Sequence, residues 1–184
     1  GNVDVTGQGG GSGLSEGNSG VRIEAGGTIT AGGNGTVTVE GTGGAGGADS
    51  NPGVFINGNT AQITSAGGNV NVTGTGGGTG ASGYNFGINI GSGTISAGGN
   101  GAVTVMGTGG ITSGEENSGI IMQFGIITSN DGPVNVTGTG GGTGASGYNC
   151  GIKAEFGGMI SAGGLNAVTV QGTGGAADGQ QNHG

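Results

Sequence analysis

The apolar residues of this chain fall in short pairs separated by one polar position. Val-x-Val pairs occur at Val3/Val5, Val37/Val39, Val70/Val72, Val103/Val105, Val134/Val136 and Val168/Val170. A second pair follows a glycine each time: Val21/Ile23, Val54/Ile56, Ile88/Ile90, Ile120/Met122 and Ile152/Ala154. A third signal is a single Ile between polar or small residues, at Ile29, Ile63, Ile95, Ile127 and Ile160. A period of two marks a strand with one face inward. The Val-x-Val pairs recur at steps of 34, 33, 33, 31 and 34 residues, so the three signals form a repeat.

Strands this short cannot bury a core as hairpins, and no connection is apolar enough for a crossover helix. The pattern therefore predicts an all-β chain wound as a parallel β-solenoid with three short strands per coil. Each strand pairs in parallel with its equivalents about 4.8 Å above and below. Five full coils and a partial sixth are expected in a single segment, 1–184, divided at about 1–32, 33–67, 68–98, 99–131, 132–163 and 164–184.

The intervals carry a second period. Between the first and second strands, 15, 14, 15, 14 and 15 residues intervene, and before each new coil 7, 6, 7, 6 and 7. The unit is thus a pair of coils, and VNVTGTGGGTGASGYN recurs unchanged at Val70–Asn85 and Val134–Asn149, in coils three and five. A long loop held to 14 or 15 residues is expected to stack on its neighbours. After each Val-x-Val comes Gly-Thr-Gly-Gly, as at Gly41–Gly44 and Gly74–Gly77, read as a corner where glycine supplies positive φ. Asn34-Gly35 and Asn100-Gly101 are read as the other left-handed corner.

GGNGTVTVEGTGG (32–44), GGNVNVTGTGGGTGASGYNFGINI (67–90) and GTISAGGNGAVTVMGTGG (93–110) resemble the glycine-rich strand repeats of giant bacterial surface proteins, the filamentous-haemagglutinin-like adhesins. The resemblance covers essentially the whole chain. It implies a right-handed parallel β-helix, secretion, and a role as stalk or fibre at the cell surface.

Composition narrows the chemistry. Glycine supplies 57 of 184 residues, but without the every-third-residue period of collagen. Net charge is −8 with Arg22 and Lys153 the only basic side chains, which argues against nucleic acid and anionic membranes. No apolar run is long enough for membrane insertion as a helix. The Gly-x-Gly stretches lack the helix and Lys of a phosphate loop. The Gly-rich corners lack the Asp of calcium-binding repeats. Ten carboxylates are scattered; of the strand-face acids, Asp4, Glu24, Glu40 and Glu155 lie on different columns or distant coils, and Glu115-Glu116 sits in a loop. That is not the paired geometry of a glycosidase. His183 has no partner for a triad or metal site, and Cys150 reads as a half-buried packing residue in the slot Phe86 fills elsewhere. No catalytic residue, metal or cofactor is expected.

Two outward columns remain. Arg22 and Lys153 share a slot with Phe55, Asn89 and Ile121, each basic residue facing an acid two positions on, Glu24 or Glu155. Phe55 and Ile121 are expected to be exposed. A hydroxyl column, Thr30, Thr64, Ser96, Thr128 and Ser161, is the candidate binding face for a glycan or for ice. Its companion column, Thr28, Gln62, Thr94, Ile126 and Met159, breaks the array. The favoured function is a structural segment of an extracellular adhesin or matrix fibre. A glycan- or ice-binding module, with a host surface as a possible partner, is second, and a polysaccharide-active enzyme last. Because Gly1 leads straight into a strand and Gly184 falls where another would start, the native polypeptide is expected to continue with further coils, or the piece to associate end to end.

Overall fold

The computed structural model describes residues 1–184 and contains sixteen strands and no helix. In chain order they are β1 (Val3–Gln8), β2 (Val21–Glu24), β3 (Thr28–Ala31), β4 (Val37–Thr42), β5 (Val54–Asn57), β6 (Gln62–Ser65), β7 (Val70–Thr75), β8 (Ile88–Ile90), β9 (Thr94–Ala97), β10 (Val103–Thr108), β11 (Ile120–Met122), β12 (Ile126–Ser129), β13 (Val134–Thr139), β14 (Ile152–Ala154), β15 (Met159–Ala162) and β16 (Val168–Thr173). Three parallel sheets result: β1-β4-β7-β10-β13-β16, then β2-β5-β8-β11-β14, then β3-β6-β9-β12-β15. The chain is a β-solenoid with three strands per coil.

Register follows the repeat. Val3, Val37, Val70, Val103, Val134 and Val168 stack in one column, Val5 to Val170 in the next. Ile56, Ile63, Ile88, Ile90, Ile95, Ile120, Met122 and Ile127 are fully buried inside. The alternating burial of β4 and β7 comes directly from the period of two.

The glycines do something other than expected. The first-sheet strands are six residues long and run through the Gly-Thr of each Gly-Thr-Gly-Gly. Gly41, Gly74, Gly107 and Gly138 are buried strand positions without positive φ. A Cβ on Gly41 would overlap the Gly53 carbonyl, and one on Gly53 would overlap the Thr75 amide of the next coil. Gly74 with Gly87, Gly107 with Gly119 and Gly138 with Gly151 repeat the contact. The two legs of the long loop are thus pressed together backbone on backbone at the loop's base.

At the corner before each new coil, the left-handed residue is the glycine ahead of the expected one: Gly33 (φ 56), Gly99 (φ 49) and Gly164 (φ 62). These fall in the seven-residue corners, which close with bonds such as Gly35 N–H to the Gly32 carbonyl, 3.2 Å. In the six-residue corners the Ser65 and Ser129 hydroxyls donate instead to the Gly68 and Gly132 carbonyls. The coil-pair alternation is therefore two corner chemistries taken in turn.

The long loops stack as expected, into a fin along one edge. Backbone bonds join them, for example Tyr84 N–H to Glu115 O at 2.9 Å and Gly77 N–H to Asn51 O at 2.8 Å. Inside runs a column the sequence reading missed: Asn18, Asn51, Asn85, Asn117, Asn149 and Asn182. Asn51, Asn85, Asn117 and Asn149 have no solvent exposure. At four of the five steps the side-chain amide donates to the next Oδ1 along the axis: Asn18 to Asn51 2.7 Å, Asn51 to Asn85 3.0 Å, Asn85 to Asn117 2.9 Å, Asn149 to Asn182 3.0 Å. At the remaining step the Asn117 backbone N–H donates to Asn149 Oδ1, 2.9 Å. The second amide hydrogen turns back three residues, as from Asn51 to the Ala48 carbonyl, 2.8 Å. The residue before each Asn is left-handed: Gly17, Ser50, Tyr84, Glu116, Tyr148 and Gln181 all have φ between 55 and 69.

Val72→Asp, which places a charge at a 1% exposed position, should cost more than about 4 kcal/mol in chemical denaturation. Thr73→Asp, facing out beside Glu40, should cost no more than about 1 kcal/mol. Equal effects would contradict the facing. Asn85→Ala, which takes away the acceptor of both the Asn51 backbone N–H and the Asn51 side-chain amide, should cost about 3 kcal/mol. Asn135→Ala, on the exposed face, should be near neutral.

Candidate functional site

The hydroxyl column predicted as a binding face exists. Thr30, Thr64, Ser96, Thr128 and Ser161 stack in register on the outward side of the third sheet. Their hydroxyls are partly spent on one another: Thr64 bonds Ser96 and Thr128 bonds Ser161, each at 2.9 Å. Beside them Ile126 and Met159 interrupt the polar array.

A second hydroxyl column, all threonine, lies on the first sheet. Thr42, Thr75, Thr108, Thr139 and Thr173 stack in register, all exposed, with Gln8 in the same slot of the first coil. These are the threonines of Gly-Thr-Gly-Gly. Taking that string as a corner hid them; the strand runs two residues further and turns each Thr outward.

The scattered acids stay scattered. No group of three or more His, Cys, Asp or Glu side chains converges. Glu24 is held by Arg22 at 2.7 Å and Glu155 by Lys153 at 3.0 Å, the two ion pairs expected from spacing. The hydrogen bond that the Lys153 ammonium donates to the Glu155 carboxylate holds it above the ordinary lysine range, with the Glu116 charge adding to it. Cys150 is buried beside the Gln181 carbonyl, and His183 is exposed at the end of the last loop.

The one concave feature with mixed chemistry lies where the fin meets the outward face of the second sheet. It is a groove of about 230 Å³ spanning the first three coils. Gly17, Ser50 and Tyr84 form the fin wall, Pro52 and Phe86 the floor, and Arg22, Phe55 and Asn89 the sheet wall. Arg22 lies over the Phe55 ring, 4.5 Å from its centroid. Tyr84 meets Phe86 edge to face at 6.2 Å. Phe55 is half-buried, short of the expected exposure. Ile121, expected to be exposed, is instead 4% exposed, between Asn89 and Lys153 in the ladder. The groove is lined by Asn89 and does not extend to Ile121, one coil on.

The floor column reads Ser19, Pro52, Phe86, Ser118, Cys150 and His183. Ser118 Oγ donates to the Tyr148 carbonyl (3.2 Å) and accepts from the Cys150 N–H (3.1 Å) of the next coil. Ser19 Oγ is buried without a partner; the residue above it is Pro52, which has no N–H to donate as Cys150 does to Ser118. Ser118→Ala should therefore cost about 1–2 kcal/mol, while Ser19→Ala should be neutral or stabilise by up to about 1 kcal/mol in the same denaturation assay.

Compared with protein-family models, with curated proteins and with solved structures, the chain matches none of them.

Proposed function

We propose that the chain is a structural repeat segment of an extracellular stalk or fibre, of the kind that bacterial surface adhesins and matrix proteins use, with no catalytic role of its own. One observation carries this reading. Every coil repeats the path of the one below, loops included, so that the molecule is nearly a translation of one unit. Such a design sets length and stiffness and leaves both ends of each ladder able to take another coil. Its partners in that role are further coils of the same kind, in the same chain or in another copy.

A second reading, a binding module, is favoured by the exposed column Thr42, Thr75, Thr108, Thr139 and Thr173. It presents one uncharged hydroxyl per coil at a fixed spacing, and it is more regular than the column of the third sheet.

Immunogold labelling of intact source cells with an antibody against residues 1–184 should decorate thin filaments outside the cell. Aligned native filaments should give a meridional reflection at about 4.8 Å and a weaker one at twice that spacing, from the alternating coils. Label confined to the cell interior, or a compact native particle, would overturn the proposal.

A further inference from the structure

We propose that the groove between the fin and the second sheet is a binding site for a neutral hexopyranose unit of a glycan. The inference is independent of the stalk reading.

The groove combines ring surface with polar groups in one cleft. Phe55, Tyr84 and Phe86 turn aromatic surface toward it, Tyr84 being 44% exposed. An aromatic ring takes the C–H face of a sugar without selecting charge. Asn89 offers a side-chain amide, a donor and an acceptor together, and Tyr84 and Ser50 add hydroxyl-bearing side chains to the lining. These groups suit the alternating donors and acceptors of sugar hydroxyls. They sit at a few fixed points around apolar surface, the usual make-up of a small-ligand site.

Charge selects the class of glycan. Arg22 is the only cation in the groove, and Glu24 already neutralises it through two hydrogen bonds of 2.7 Å. The chain as a whole carries a net charge of −8. A sulfated or uronate polymer would meet repulsion with no free cation to offset it, so the ligand is uncharged. The site extends over three coils, or about 10 Å along the axis. That length takes one or two sugar units, with the chain continuing along the solenoid.

The molecule contains its own negative control. Ile121 occupies the column position of Asn89 one coil on, is 4% exposed, and lines no groove. Asn89→Ile should put the same side chain into the groove without disturbing the ladder beneath.

Tyrosine emission makes the test direct, because the chain has no Trp and only two Tyr. Tyr148→Phe leaves Tyr84 as the sole emitter. Titration of that variant with β-linked gluco-, galacto- and manno-hexaoses up to about 10 mM should give a saturable change with at least one of them. The change should be insensitive to salt. It should be lost in Tyr148→Phe combined with Asn89→Ile, whose circular dichroism and unfolding midpoint should match the parent. Because that double variant keeps its emitter, loss of signal there means loss of binding. No saturable change with any of the three sugars overturns the proposal. So does binding only to heparin with steep salt dependence, which would make the site anionic in preference. Retention of sugar binding in the Asn89→Ile variant would move the site elsewhere and also overturn it.

Discussion

The structure rests on the contact between two glycine columns, Gly41-Gly74-Gly107-Gly138 on the first sheet and Gly53-Gly87-Gly119-Gly151 at the return of the loop. A methyl group on either side would overlap backbone atoms of the other. The contact lets the chain leave the triangular core and come back through the same narrow neck in every coil. Because the neck is identical each time, the loops leave at the same angle and must lie one on another. The fin, its buried asparagines and the groove along its side all follow from that.

The asparagine column is the second consequence. A buried amide without partners would cost roughly as much as several core methylenes contribute. Stacking six of them at the inter-strand spacing satisfies each by its neighbours and by the loop's own carbonyls. The network also fixes register, since a slip of one residue would put Tyr84 or Phe86 where Asn85 stands. Holding the preceding residue left-handed at five non-glycine positions costs conformational energy, which the saturated amide network offsets.

In-register stacking also explains the composition. Like residues lie over like, so a charge repeated in one column would meet its copy about 4.8 Å away, a repulsion of about 0.9 kcal/mol per step even in water. The strands avoid this. Arg22, Lys153 and the strand acids Asp4, Glu24 and Glu40 never face a like charge across a ladder: Asp4 lies beside Thr38, Glu40 between Thr6 and Thr73, and Glu24 beside Asn57. Charged residues make up 7% of the chain, and threonine, asparagine and glycine take the repeated outer positions.

The three sheets, their parallel order and their register were legible in the sequence, because a period of two nested in a period near 33 has no other way to bury Val and Ile. The paired coils and the two ion pairs were legible for the same reason, as they depend on spacing alone. The asparagine column was visible in principle, since Asn-x-Gly precedes every second-sheet strand at steps of 32 to 34 residues. Asparagine beside glycine reads as a turn, however, and only the stacked loops show that it is buried. Tertiary structure alone decided that the Gly-Thr pair continues the strand, that Ile121 is covered while Asn89 lines a groove, and that Pro52 lies above an unpaired Ser19 hydroxyl. Each depends on which backbone atoms lie across a neck or one coil above, a distance that spacing along the chain does not encode.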